Sequence, residues 1–143
     1  VERGFVTYRT MADPRWLDTA IDPNGRKPMW CYLGHPETVN SGPVGLARFS
    51  TLRSWLSQWS HDDSLADSLR WGSSVSVPFL AIECGADDAV PQPHTTLIHA
   101  AIGSRDKSML RVEGANHYFV GQPGHLDEAA RHMLAWMAAR GLH

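Results

Sequence analysis

No apolar run in the 143-residue chain approaches the roughly 20 residues needed to span a bilayer. The opening Val1-Glu2-Arg3-Gly4 does not read as a signal peptide, because it lacks an apolar h-region. Cysteine is scarce. Cys31 and Cys84 give neither a disulfide framework nor a metal-ligand spacing, so no metal site is expected. Cys84 sits in an apolar, strand-like run and reads as a buried thiol, which suits a reducing cytoplasm. Positive charge is not in excess: the formal net charge of -2 excludes a broad basic field for nucleic acid. Internal repeats and low-complexity tracts are also missing. The apolar fraction of 43% and the charged fraction of 20% are those of an ordinary globular domain, and the length suffices for one core. The chain begins at Val1 without a methionine, and the expectation is that a larger segment precedes it, lost by processing or as a fragment.

The patterning then divides the chain. Residues 4–9, β-branched and aromatic, read as a short strand. Residues 13–45 carry Pro14, Pro23, Pro28, Pro36 and Pro43 among several glycines, which excludes long regular elements. The same stretch holds Trp16, Trp30 and Tyr32, so it reads as an ordered, irregular excursion with short helical turns. Over residues 45–60, Leu46, Phe49, Leu52, Leu56 and Trp59 recur at three and four, predicting an amphipathic helix. Asp62, Asp63 and Ser64 could cap a further short helix ending at Trp71. Residues 75–84 contain a nearly continuous apolar core, as in a parallel strand buried on both faces. A helix is expected over 94–102, a strand over 108–113 and a helix over 125–140. In the last, Leu126, Ala129, Ala130, Met133, Leu134, Met137 and Ala138 line one face, Asp127 and Glu128 sit in the first turn, and His125 helps begin it. Strands alternating with helices predict an α/β fold with a parallel sheet. Three strands alone would leave an open edge, so the chain is expected to complete a larger sheet.

In parallel α/β sheets, reactive groups gather beyond the carboxyl ends of strands. Two such ends here hold titratable residues: Asp87, after the strand closing at residue 84, and His117, after the strand over 108–113. They are 30 residues apart, which suits one helix and one strand, so the two loops should be neighbours. A histidine acting as general base needs one tautomer held, and a buried carboxylate accepting from Nδ1–H does that.

Gly85-Ala86-Asp87-Asp88-Ala89-Val90-Pro91 resembles the acid loop of α/β-hydrolases, and Val112-Glu113-Gly114-Ala115-Asn116-His117 resembles their histidine loop. The resemblance covers residues 75–140 well. It implies the C-terminal part of a mostly parallel, doubly wound hydrolase sheet: residues 1–12 as a core strand, 13–72 as a helical cap insertion, 73–143 as the rest of the core. Asp87 and His117 are then the catalytic acid and base. Counting from Pro91 favours Asp87 and counting from Gly85 favours Asp88; Asp87 is preferred because the small pair before it then occupies the tight turn. The family's Gly-x-Ser-x-Gly nucleophile elbow does not occur in the sequence, and Ser41 has glycine on one side only. The oxyanion-hole loop is absent as well.

The expected function is therefore hydrolysis of an ester or amide in a small organic molecule, with the nucleophile and oxyanion hole supplied by a second polypeptide sharing the sheet. No cofactor is expected. A nucleophilic Asp or Cys would change the reaction class; a non-catalytic hydrolase-like subunit and an acyltransferase are the alternatives. Trp55 and Trp59, on the cap helix, and Tyr118 and Phe119, beside His117, are candidate substrate-binding walls, although for the tryptophans packing of the cap against the body is the favoured reading. Arg48 and Arg53 could pair with Asp62 or Asp63 or meet a substrate carboxylate. His94 and His99, five apart, miss the spacing useful for a metal on a helix.

Overall fold

The computed structural model describes residues 3–6, 13–41, 49–90 and 92–142. Along the chain these form β1 (Gly4–Val6), a 3-10 turn (Pro14–Leu17), α1 (Pro36–Ser41), β2 (Phe49–Thr51), α2 (Leu52–Trp59) and α3 (Ser68–Trp71). A second 3-10 turn (Gly72–Ser74), β3 (Phe79–Cys84), α4 (His94–Ala101), β4 (Lys107–Val112) and α5 (Pro123–Ala138) follow. The chain is mixed α/β with a small parallel sheet.

β3 and β4 run parallel, paired from Phe79 with Lys107 to Cys84 with Val112. Parallel neighbours need a long crossover, and α4 supplies it. The foot of β4 grips that helix: Lys107 Nζ donates to the carbonyls of His99, Ala100 and Ile102 at 2.9, 3.2 and 2.7 Å. A cation is thus placed where the last carbonyls of α4 are unsatisfied and the helix dipole is negative. α5 begins with Pro123, whose missing N–H is harmless at a first helical position. It is tied to β4 by Trp136 Nε1 donating to Ser108 Oγ at 3.1 Å. Arg140, just beyond its end, donates two bonds to the Asp106 carboxylate and stacks over the Trp136 ring. Between sheet and helix lies a core of Cys84, Val112, Ala115 and Ala129, joined by Ile82, Leu110 and Phe119. A separate cluster of Trp16 and Cys31, each 1% exposed, with Val39 against them, holds the 13–41 segment together.

Several elements depart from expectation. Phe49–Thr51 is a strand paired antiparallel with β1, not part of a helix over 45–60. The helix waits until Leu52 because the Thr51 hydroxyl accepts from Ser54 N–H at 3.1 Å, an N-cap that a periodicity count cannot see. Leu46 and Arg48 of that expected helix, residues 7–9 of the expected first strand and Pro91 lie outside the described residues. Among the described residues, β1 pairs with β2 and not with the parallel sheet. Asp62 and Asp63 do not cap a helix; their N–H groups are taken by Ser60 Oγ, and Asp67 caps α3 instead, accepting from Leu69 and Arg70. The apolar run from Val75 becomes strand only at Phe79. α5 starts two residues early, so Asp127 and Glu128 fall in its second turn, and His125 lies inside it, 3.7 Å from the Glu128 carboxylate. Of the apolar stripe on α5 only Ala129 is buried, while Leu126 and Leu134 are exposed.

Candidate active site

The acid and histidine loops are an extension of the parallel ladder. Beyond the last strand pair, Gly85 N–H donates to Val112 O at 2.8 Å and Ala86 N–H to Ala115 O at 2.9 Å. The two loops therefore leave the sheet edge zipped together. Close approach is why position 85 is glycine: a Cβ there would lie 3.0 Å from both Glu113 Cα and Gly114 N.

At the end of this zipper, Asp87 Oδ2 stands 3.0 Å from His117 Nδ1. Asp87 is buried, and its other oxygen, Oδ1, accepts from the N–H groups of Ala89 and Val90 at 2.9 and 2.7 Å. One oxygen is thus committed to the turn and the other to the imidazole. An ionised carboxylate only accepts, so Nδ1 carries the hydrogen and Nε2 keeps its lone pair. Among the described residues Nε2 has no hydrogen-bond partner, and the His117 side chain is 31% exposed. Asp88 has a different place: its Oδ1 accepts from the His117 backbone N–H at 3.3 Å. Of the two acids left open by loop counting, Asp87 faces the ring.

The histidine loop is braced by residues to which no spacing pattern points. Asn116 bridges the loop, accepting from Val120 N–H at 2.9 Å and donating to Val120 O at 3.0 Å. Gln122 accepts from Asn116 N–H and donates to Gly114 O, both at 2.8 Å. Phe119 is held at a φ of 55°, in the left-handed region that costs a bulky residue about 1–2 kcal/mol. The brace sustains it. An Asn directly before the histidine was the only local hint of this network.

A largely apolar cavity of about 350 Å³ opens between β3 and α5. Ile82, Phe119, Leu126 and Met133 line it together with Asp87 and His117. Phe119 stands in one wall with the dyad. Tyr118 is exposed, its ring edge-on to His117 with centroids 4.6 Å apart.

Trp55 and Trp59 are not at this site. Trp55 packs edge-on against Phe5 of β1, and Trp59 lines a separate cavity with His61, Asp67, His94 and Ile98. The residues that bond to the acid loop come from earlier in the chain, where Tyr32 N–H donates to Asp88 O at 2.8 Å and Gly25 N–H to Gly85 O at 3.5 Å. Which turn of an irregular segment touches the body depends on its own folding, here around Trp16 and Cys31, and leaves no periodic trace.

Cys84 also lines the cavity but is poorly suited to be the nucleophile. Burial, reinforced by the negative charges of Asp87, Asp88 and Glu83, pushes its thiol up to about 11. Because the folded thiol holds its proton more tightly than the unfolded one, its ionisation disfavours the fold as pH rises from about 8.5, the ordinary thiol value, and the loss is complete above the folded value. Thermal unfolding followed from pH 8 to 11 should show that decline, on the order of 3 kcal/mol, and Cys84→Ala should flatten it. Equal slopes in the two proteins would show that the thiol does not contribute.

The fold and site together define a β-α-β unit presenting an acid–histidine dyad at the carboxyl edge of a parallel sheet. No family model, curated protein or solved structure matches the chain. Among the described residues no cluster suited to a metal ion occurs, and no helix is long and apolar enough to cross a membrane.

Proposed function

We propose that this chain supplies the acid and the base of an α/β-hydrolase triad, acting on an ester or amide of a small, largely apolar organic molecule. The carrying observation is the His117 ring: Nδ1 is engaged by a buried carboxylate while Nε2 is accessible and unpartnered among the described residues. In the reaction, a serine hydroxyl from a second polypeptide attacks the substrate carbonyl. His117 Nε2 takes the hydroxyl proton as the carbon–oxygen bond forms, and Asp87 stabilises the resulting imidazolium. The same proton then passes to the departing alcohol or amine, and water repeats the cycle on the acyl intermediate. Backbone N–H groups of the partner would hold the oxyanion.

Two features support a shared sheet. β3 and β4 form a parallel pair with no third parallel strand among the described residues, and Leu126, Met133 and Leu134 of the adjacent helix are exposed. An interface of that kind is apolar, like a domain core divided between chains. Both cysteines are free and buried, in separate clusters, in keeping with a reducing cytoplasm.

The test is intact mass spectrometry of the native assembly before and after a serine-reactive fluorophosphonate. A second chain that gains the label, with labelling abolished by His117→Ala, is the expected result. An assembly in which no species is labelled rejects the serine hydrolase reading.

A further inference from the structure

We infer that Asp88 is a positioning residue for His117, and that it joins the histidine to the 13–41 segment; the inference rests on His117 being the general base. Asp88 uses two different acceptors at once. Its side-chain Oδ1 takes the His117 backbone N–H at 3.3 Å, and its backbone carbonyl takes Tyr32 N–H at 2.8 Å. Tyr32 then returns to the same histidine by another route. Its ring lies edge-on to Tyr118, with centroids 5.4 Å apart, and Tyr118 lies edge-on to His117 at 4.6 Å. The histidine is thereby bounded by Asp87 at Nδ1, Asp88 at its backbone and an aromatic pair on the ring.

The physical need is clear from the loop. His117 lies five residues past the last paired residue of β4 and two past Ala115, where the zipper between the loops ends. The side-chain braces at Asn116 and Gln122 hold the loop around it, but the bond to Asp88 is the one made by the His117 amide itself. An imidazole free to rotate spends less time with Nδ1 on the carboxylate and Nε2 on the nucleophile's line, and small misplacements of a base are costly to catalysis. The segment that Tyr32 belongs to has its own core nearby, where the Arg26 guanidinium stacks on Trp16 at 4.0 Å.

Two substitutions separate the contributions. Asp88→Asn keeps an oxygen for the His117 N–H and drops the charge; Asp88→Ala removes both. Amide hydrogen exchange and the low-field Nδ1–H proton resonance of His117 report the anchor without any substrate, with unfolding temperature as the check on fold. In Asp88→Ala the His117 amide should exchange about tenfold faster, as expected for one lost hydrogen bond, and the Nδ1–H signal should broaden. In Asp88→Asn both should remain as in the native protein. Unchanged exchange and resonance in a folded Asp88→Ala protein, or equal loss in both variants, would overturn the inference while leaving the Asp87–His117 pair intact. An Nδ1–H resonance insensitive to Asp87→Asn would instead remove the pair, and the inference with it.

Discussion

Asp87→Asn is expected to lower hydrolytic turnover by about four orders of magnitude while leaving the fold in place. The structure supplies the reason. Asp87 Oδ1 is held by the N–H groups of Ala89 and Val90, and Oδ2 faces His117 Nδ1. An asparagine has a single oxygen. If it stays with the turn, the amide NH₂ points at Nδ1 and donates to it, which moves the imidazole hydrogen to Nε2. The histidine then presents a donor where it must present an acceptor, and it can no longer take a proton. If the amide flips, the turn loses two bonds and the loop opens. His117→Ala should cost at least as much. The measurement is turnover of an activated ester by the native assembly, with circular dichroism as the check on folding. Activity within tenfold of the native protein would exclude the dyad from the chemistry.

The second large effect concerns the ion pair beneath the site. Glu83, on β3 four residues before Asp87, has a side chain 2% exposed. Its carboxylate is met by Arg111 Nη1 at 3.0 Å and Thr96 Oγ1 at 3.3 Å. Arg111→Met strands that carboxylate among apolar atoms, and a loss of about 3 kcal/mol in unfolding free energy is expected. The cost falls on the charge left behind more than on the bond removed. Glu83→Leu combined with Arg111→Met should therefore recover most of the loss, to within about 1 kcal/mol of the native protein. Urea denaturation of the two single variants and the double variant reads the cycle. A double variant as unstable as Arg111→Met would show that the pair contributes attraction of its own. The Arg111 contact with the exposed Glu113 carboxylate should add little, since solvent screens it.

Much of this was legible in the residues because it depends on local rules. The apolar run Phe79–Cys84, the helix His94–Ala101 and the strand at Lys107–Val112 each carry a pattern that a few neighbouring residues suffice to set, and their bounds agree with the reading to within a few residues. A strand, a helix and a second strand of these lengths leave a parallel pair as the compact solution, and parallel strands end on the same side. That argument alone puts the loops of Asp87 and His117 side by side. The thiol of Cys84 was likewise foreseeable from its apolar surroundings, and it is buried.

Tertiary structure decided the rest. Asp87 and Asp88 are chemically identical neighbours, and only the turn closed by the Ala89 and Val90 N–H groups directs one to the imidazole and the other to its backbone. The stretch before β3 shows the same limit. Trp55 and Trp59 have the helical spacing that attracts attention, yet they pack elsewhere, while Gly25 and Tyr32 bond to the acid loop from an irregular stretch folded on Trp16 and Cys31. Periodicity records which face of a regular element is apolar. It carries no record of which backbone group in a loop meets another loop, because those contacts are fixed by packing and hydrogen bonds between residues distant in the chain.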